Sequence, residues 1–306
     1  MENHFLESTV VLRDDASYHR VVAVGPHFIV KHGHGVRERE GQTLLFLEKH
    51  LASSSFITVP KLYAMYRMPS NGHLCLIMER LDGESLETMW PVLDNDEKST
   101  VCGKLKDVFA AIFRIPMPYP NFYGSVERGP VPHHLFHSAD GDKAICGPFG
   151  SEKEFNAALV RRLRAIWAAN GEHSFKADFY ERNLNAILKG HEPRFSHSDL
   201  QPKNILVRRV QSQAGLASER FEVALIRIPR VILTLLPKEL AIGFALDSLV
   251  FTVNKYTSRF YTSLLFQLRA SDRKQTAVLY LIWPITTGYS YESQRNATVL
   301  DTQYLK

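Results

Sequence analysis

The run His-Ser-Asp-Leu-Gln-Pro-Lys-Asn at residues 197–204 constrains this chain more than any other feature of its sequence. It places the carboxylate of Asp199 and the amide of Asn204 on one loop, directly before the apolar residues Ile205–Val207. In phosphoryl transfer an aspartate accepts the proton of the attacking hydroxyl, an asparagine oxygen holds the metal on the nucleotide phosphates, and a histidine such as His197 braces the loop. The spacing therefore predicts phosphotransfer chemistry.

The alternative explanation is an ordinary polar turn before a strand, since Ser, Asp, Pro and Asn are common turn residues. That explanation accounts for the composition of the run but not for the spacing His-x-Asp-Leu-x-x-x-Asn. A hydrolase or a binding module has no evident need for all three functional groups. We therefore prefer the catalytic interpretation.

Composition sets the class of protein. With 306 residues, 45% hydrophobic and 23% charged, the chain can form one large globular domain or two lobes. The cysteines Cys75, Cys102 and Cys146 lie far apart without a Cys-x-x-Cys spacing, and the N-terminus lacks the basic start and apolar run of a secretory signal. Charged residues interrupt the apolar stretch at residues 228–253, which predicts a core segment rather than a membrane span. We expect a cytoplasmic protein with no membrane partner.

The basic character of the chain does not indicate nucleic-acid binding. The formal net charge is +5, which suits a partner that carries phosphates, but the basic residues are spread along the chain without interleaved aromatic residues. His133, His134 and His137 lie in a Pro/Gly-rich region without partner cysteines or a helical frame, which favours a solvated loop over a metal site.

The first 79 residues have the pattern of an antiparallel sheet with one helix. Residues 20–31 predict two strands around the Gly25-Pro26 turn, and residues 36–50 predict an amphipathic helix. Residues 60–66 and 73–79 predict a second pair of strands. We therefore place an N-terminal lobe at residues 1–79.

Beyond residue 80 the pattern changes to longer periodic segments. Helices are predicted at residues 97–114, 152–169 and 175–189, and a hairpin at residues 205–210 and 221–226. These segments define a C-terminal lobe at residues 80–306. Residues 115–150 form a stretch rich in Pro, Gly and His, which is long for a simple connection and is a candidate binding or lid element.

The N-terminal lobe offers a second set of candidate site residues. Lys31 ends a predicted strand, from which its ammonium can reach nucleotide phosphates. Glu40, early in the following helix, is placed to orient that ammonium, whereas Glu38 would point to a different face. The segment containing Met78 and Glu79 can present backbone groups to an adenine ring. Taken singly, a solvated edge lysine and an ordinary buried strand explain these features as well.

Taken in order along the chain, five segments resemble the aminoglycoside phosphotransferase-like family, a small-molecule kinase branch of the protein-kinase-like superfamily. They are Phe28–Lys31, Glu40–Leu44, Leu76–Glu79, Gly147–Phe149 and His197–Val207. The last segment is highly specific, and the others gain weight from their order.

The resemblance implies an α+β, two-lobed protein-kinase-like fold, with an antiparallel N-terminal sheet and one helix above a mainly helical C-terminal lobe. It implies ATP in the cleft, Mg²⁺ on its phosphates, and a small-molecule hydroxyl as the acceptor. The residues assigned to the nucleotide are Lys31, Glu40, Met78 and Glu79. The resemblance assigns catalysis to Asp199 as the base, with His197 beside it, and it assigns Asn204 to the metal. The identity of the acceptor and the oligomeric state stay open.

The resemblance breaks after the predicted strand at residues 221–226. The family pattern requires a metal-binding Asp there, and this chain has Arg227. Near a divalent ion, replacing attraction by repulsion costs several kcal/mol at an effective dielectric constant of about 20. Residues 228–306 are also atypical for the family. The alternatives are a catalytically impaired pseudokinase or nucleotide-binding scaffold, and a C-terminal part altered by a changed reading frame or exon boundary.

Overall fold

The computed structural model describes residues 9–15, 18–51, 57–117, 119–197, 202–211, 219–225 and 233–237. Within these residues the strands are β1 (Thr9–Asp15), β2 (His19–Val24), β3 (Phe28–Gly33), β4 (Leu62–Arg67), β5 (Leu74–Glu79), β6 (Glu84–Ser85), β7 (Pro193–His197), β8 (Leu206–Gln211), β9 (Glu219–Leu225) and β10 (Leu233–Pro237). The α-helices are α1 (Glu38–Leu51), α2 (Leu86–Met89), α3 (Asn95–Arg114), α4 (Lys143–Cys146), α5 (Glu152–Ala168) and α6 (Phe175–Ile187).

The N-terminal lobe contains an antiparallel five-stranded sheet in the order β1-β2-β3-β5-β4. The register places Val21 opposite Lys31, and Lys31 opposite Leu76. Directly opposed residues of neighbouring strands share one face of a sheet. Lys31 therefore lies near the middle of the inner face, between apolar neighbours. The predicted hairpin around Gly25 is confirmed, whereas the edge strand β1 was not predicted.

Helix α1 covers the inner face of this sheet. Its first turn carries Glu38 and Glu40 and its last turn carries Lys49 and His50, the charge distribution that complements a helix dipole. A Cβ atom added at Gly41 would lie 2.7 Å from the Met65 sulfur. The absence of a side chain at this position therefore allows the helix to approach β4 closely.

One hydrophobic cluster, here called the first core, runs through both lobes. It joins the inner face of the sheet to α1, α3 and the residues next to the 197–204 run. Its members include Val21, Ile29, Leu44, Leu47, Leu76, Met78, Leu86, Leu105, Phe109, Phe195, Ile205 and Val207. The strand-rich lobe and the helical lobe are thus packed together through shared apolar side chains.

A separate cluster, here called the second core, lies within the C-terminal lobe. It is built by α5, α6 and the preceding long segment, and it includes Tyr123, Val131, Leu135, Phe136, Phe149, Phe155, Leu159, Leu163, Tyr180 and Leu184. Its helices α5 and α6 are further joined by Arg164, whose guanidinium contacts Asp178 at 2.9 Å and Glu181 at 2.6 Å.

Several residues of the segment 115–150 pack into the second core. Tyr123 bridges to Phe149, and the side chains of both residues are buried in the second core. His133, expected in a solvated loop, is also buried, and its Nδ1 accepts a hydrogen bond from the Leu135 amide at 3.3 Å. The expectation of a solvated loop was wrong for His133, because tertiary packing, which local composition does not reveal, covers its side chain. The role of residues 115–150 as a binding or lid element stays a prediction. His137 is exposed as expected.

Two small sheets in the C-terminal lobe frame the 197–204 run. Strand β7 precedes the run and pairs with β10, so that His197 lies opposite Leu233. Strand β8 follows the run and lies between β6 and β9. The α+β, two-lobed architecture predicted from the sequence is confirmed. Among the residues that the structure describes, no helix combines the length and apolar character needed to span a bilayer.

Candidate functional site

Lys31 and Glu40 form a buried ion pair. The Lys31 Nζ donates to Glu40 Oε2, and the side chains are only 2% and 7% exposed. Glu38 instead faces solvent and contacts the guanidinium of Arg67 at 2.6 Å, as the helical spacing predicted. Burying two charges has a large desolvation cost, and a pair of this kind is weak evidence for stability alone.

A pocket lies beside this pair, between the inner face of the sheet and the segment that leads into the C-terminal lobe. It is lined by Val21, Ile29, Lys31, Pro60, Met78, Glu79 and Leu81. Its walls are mostly apolar, and the basic group among the lining residues is the Lys31 ammonium. The cavity is small, with room for about one water molecule, but its apolar side chains and its ammonium are of the kinds that contact a flat aromatic base and a phosphate. Lys31, Met78 and Glu79 were predicted from the sequence as nucleotide-binding residues, and the structure brings them together at this pocket.

The other pocket residues were missed by sequence reasoning. Val21 and Ile29 belong to the same face of the sheet as Lys31, because Val21 lies opposite it and Ile29 is two residues before it on β3. A search at period two around Lys31 would have found Ile29. Pro60 and Leu81 lie outside the strands and gave no comparable signal.

The segment from Glu79 to Leu81 is anchored to its neighbours. The Glu79 amide donates to the Lys61 carbonyl at 2.9 Å, and the Arg80 amide donates to the His27 carbonyl at 2.8 Å. The Arg80 guanidinium also reaches the Gly25 carbonyl at 2.9 Å. This wall of the pocket is therefore held in place by the β2–β3 turn and by the residue before β4.

The two ends of the 197–204 run are buried and fixed. His197 closes β7 with 0% exposure, and Asn204 is 3% exposed in a 3₁₀ turn over Pro202–Asn204. The Ile205 amide donates to the Pro202 carbonyl, and the Leu86 amide donates to the Ile205 carbonyl at 2.7 Å. Asp199 lies outside the described residues, so its predicted role as the base stays a prediction.

The connector between α6 and β7 is held by groups that the sequence did not point to. Glu152 accepts from the His191 amide at 3.2 Å and contacts His191 Nδ1 at 2.5 Å. The Tyr123 hydroxyl donates to the His191 carbonyl at 2.9 Å, and Asn156 donates to the Leu188 carbonyl at 2.9 Å. Burial, together with the negative charge of Glu152, raises the pKa of Tyr123 to about 12. Its hydroxyl therefore stays protonated and can donate.

The predicted metal ligand Asn204 supplies one amide oxygen. In the described ranges there is no group of three or more His, Cys, Asp or Glu side chains that could hold a metal ion. Arg227, which replaces the expected metal-binding Asp, lies outside the described residues. An amide oxygen is compatible with Mg²⁺, but a complete site needs further oxygen ligands.

Comparisons with known proteins agree with the fold. In a search of solved structures the chain is similar to APH(2")-IIa in its ternary complex with streptomycin and ATP, with 14% identity over 99% of this chain and 94% of that one and a TM-score of 0.56. It is also similar to the ADP-bound aminoglycoside phosphotransferase APH(2'')-Ib, with 14% identity over 96% and 92% and a TM-score of 0.52. These likenesses show a shared fold. A comparison with curated proteins finds no match.

The family model described as the phosphotransferase enzyme family matches residues 9–216. The match spans well over half of the chain, and it includes the Lys31–Glu40 pair, the pocket and the 197–204 run. The chain therefore belongs to the phosphotransferase enzyme family.

Proposed function

We propose that this protein is an ATP-dependent phosphotransferase that moves the terminal phosphoryl group to a hydroxyl of a small molecule. The observation that carries the proposal is the buried Lys31–Glu40 pair at the edge of an apolar pocket. A fixed ammonium next to apolar side chains supplies groups that can contact the two chemical parts of a nucleotide, its phosphates and its ring.

In the proposed reaction a hydroxyl oxygen of the acceptor forms a bond to the γ-phosphorus, and the bond from that phosphorus to the bridging oxygen of ADP breaks. Asp199 takes the proton of the hydroxyl, His197 braces the loop that carries Asp199, and Lys31 stabilises phosphate charge. Asn204 would hold Mg²⁺, which supplies further neutralisation of the phosphates when bound. Met78 and Glu79 contact the base. The catalytic work of the protein is therefore mostly positioning and charge stabilisation.

We place the boundary between the nucleotide-binding lobe, residues 1–79, and the catalytic and acceptor lobe, residues 80–306, at the anchored segment after β5. The acceptor is a small molecule with a hydroxyl group. Streptomycin, present in the APH(2")-IIa complex, makes an aminoglycoside one candidate among amino alcohols, sugars and related compounds. We further propose a cytoplasmic location, with no nucleic-acid or membrane partner.

A catalytically impaired pseudokinase is the second candidate. Strands β9 and β10 leave residues 226–232 between them, and this connection contains Arg227 and Arg230 but no Asp or Glu. A metal-binding carboxylate is expected at that point of the chain. A protein that keeps the pocket and lacks the carboxylate would bind nucleotide as a scaffold.

Calorimetric titration with ATP, with and without Mg²⁺, separates the two candidates. Magnesium-dependent binding together with slow ATP hydrolysis supports the enzyme, and metal-indifferent binding without hydrolysis supports the scaffold. Absence of ATP binding would contradict both. The variant Asp199→Ala should abolish hydrolysis while retaining ATP binding, and unchanged hydrolysis would remove Asp199 from the mechanism.

A further inference from the structure

We propose that the contact between the rings of Phe46 and Phe195 fixes the helix that carries Glu40 relative to the strand that carries His197. Both phenylalanines are then positioning residues for phosphoryl transfer. This inference rests on the proposed function, and it assigns roles to two residues outside the nucleotide pocket.

The contact joins the two lobes at a defined place. Phe46 lies on α1, and Phe195 lies on β7 two residues before His197. The ring centroids are 4.9 Å apart with the planes inclined by 50°. Phe195 is 1% exposed. Because aromatic rings at this separation have a preferred mutual geometry, the pair restrains both translation and rotation of α1 against β7.

Phe46 is also held from a second side. The His50 ring lies 4.2 Å from the Phe46 ring, with an interplanar angle of 32°. His50 Nδ1 lies 2.8 Å from the Phe46 carbonyl oxygen. Phe46 therefore contacts one ring from its own helix and one from the other lobe.

The packing around the contact leaves α1 few alternative positions. Leu44 and Leu47 of the same helix belong to the first core, together with Leu105 and Phe109 of α3. Interiors packed in this way transmit small displacements instead of absorbing them. A gap between Phe46 and Phe195 should shift Glu40 relative to His197, while the backbone of Lys31 stays held between β2 and β5.

Neither ring lines the nucleotide pocket. An effect of either residue on the reaction must therefore act through the groups that the rings hold in place. Small misplacements of reacting groups are costly in rate, since about 1 Å can cost about a hundredfold. Nucleotide affinity depends on the pocket walls and should change much less. A loss in kcat with little change in KM for ATP is the expected signature.

The test uses the full chain and its basal ATP hydrolysis, which needs no knowledge of the acceptor. The variants are Phe46→Leu, Phe195→Leu and the double variant. The matched control is the pair Phe136 and Phe155 in the second core, whose centroids are 4.7 Å apart at 44°, changed to Leu in the same way. Thermal unfolding of every variant establishes a temperature at which all are folded, and Phe46→Met provides a milder change if leucine is not tolerated.

We expect the first-core variants to lower kcat by about tenfold to a hundredfold with KM for ATP nearly unchanged. The double variant should lose no more than the worse single variant, because one contact is removed in all three. The control variants should lower the melting temperature while kcat stays within about twofold of wild type. Equal losses of kcat in the two sets, or wild-type kcat in Phe46→Leu, would overturn the proposal.

Hydrogen exchange separates failure of this inference from failure of the proposed function. If the wild-type protein hydrolyses no ATP, the proposed function fails. The coupling between α1 and β7 can then still be tested by hydrogen exchange of the backbone amides. Phe46→Leu should then speed exchange of the backbone amides of β7, whereas Phe136→Leu should not. Unchanged protection of β7 in Phe46→Leu would contradict the coupling itself.

Discussion

The two hydrophobic cores differ in what they hold. The first core takes side chains from both lobes and includes residues of the pocket itself, such as Val21 and Met78. The second core joins α5, α6 and the long segment before them, and no predicted site residue is among its buried members. It meets the 197–204 run indirectly, through the connector held by Glu152 and Asn156.

This difference separates fold stability from activity. Damage to the second core should lower the free energy of unfolding while leaving the pocket beside Lys31 intact in molecules that remain folded. Damage to the first core should lower both the free energy of unfolding and the activity, because the side chains that stabilise the fold also position the site. The predictions that follow test this division.

The largest effect is expected for Lys31→Met. The change removes the ammonium and leaves the buried carboxylate of Glu40 without its ion-pair partner, which costs about 3–5 kcal/mol of stability. ATP binding should be lost as well. Urea unfolding measures the stability, and calorimetry measures the binding. The double variant Lys31→Met/Glu40→Gln should recover part of the stability but none of the binding.

The control for Lys31→Met is an exposed ion pair that also joins the sheet to α1. Arg67 and Glu38 are 64% and 57% exposed, at an N–O distance of 2.6 Å. Exposed pairs contribute about 0–1 kcal/mol, so Arg67→Met should change stability little and ATP binding not at all. A comparable loss in both variants would show that burial of the Lys31–Glu40 pair is not what matters.

A second prediction compares two leucines directly. Leu47 in the first core and Leu159 in the second are 0% and 1% exposed. Each change to Ala should cost about 2–5 kcal/mol, through lost burial and the cavity that remains. Only Leu47→Ala should also lower kcat for ATP hydrolysis, since it loosens α1. An equal loss of kcat in Leu159→Ala would show that the cores act as one unit.

Sequence reasoning succeeded where local pattern and chemistry agree. The helix predicted at residues 36–50 is α1 at Glu38–Leu51, and the pairing of Glu40 rather than Glu38 with Lys31 followed from helical spacing. The two conditions were a lysine on a strand and a carboxylate on the inner face of the next helix, although β3 continues past Lys31 to Gly33 instead of ending there. Both can be read within ten residues of sequence.

Sequence reasoning failed where position depends on distant pairing. Strand β7 is five residues long, and its partner β10 lies far along the chain, so neither has a local signal strong enough to define it. Pro60 and Leu81 are common apolar residues outside the strands. They line the pocket because the pairing of β4 with β5 brings the residues before β4 close to the residues after β5. The burial of His133 likewise depends on packing against residues remote in sequence.

A third prediction concerns the helix caps that begin one helix of each core. Asp94 accepts from the Glu97 amide at 2.8 Å and donates its own amide to Glu97 Oε2 at 2.9 Å, at the start of α3. Ser151 accepts from the Glu154 amide at 3.2 Å, at the start of α5. Each change to Ala should cost about 1 kcal/mol.

Asp94→Ala should cost more than Ser151→Ala, because it removes a negative charge that interacts favourably with the helix dipole as well as the bond from the Glu97 amide. Urea unfolding of both variants measures the difference. The exposed mid-helix change Lys106→Ala is the control and should stay within about 0.5 kcal/mol of wild type. A larger effect at Ser151 would mean that α5 depends on its first turn more than α3 does.

The smallest effect is expected for the partly exposed cluster that joins α5 to α6. Hydrogen bonds from Arg164 lower the pKa of Glu181, and bonds from Arg164 and His173 lower the pKa of Asp178. A carboxyl whose pKa is lowered in the folded state stabilises the fold above its ordinary pKa, near 3.8 for Asp and 4.5 for Glu, and the contribution is lost as pH falls through the lowered value. The urea midpoint of wild type should therefore exceed that of Arg164→Met at pH 7, and the difference should shrink as pH falls below about 4. Because the cluster lies beside the second core, ATP affinity at pH 7 should be the same in wild type and in Arg164→Met.

A difference in urea midpoint between these two proteins that does not change with pH would contradict the electrostatic explanation. It would assign the role of Arg164 to packing of the apolar part of its side chain rather than to its charge.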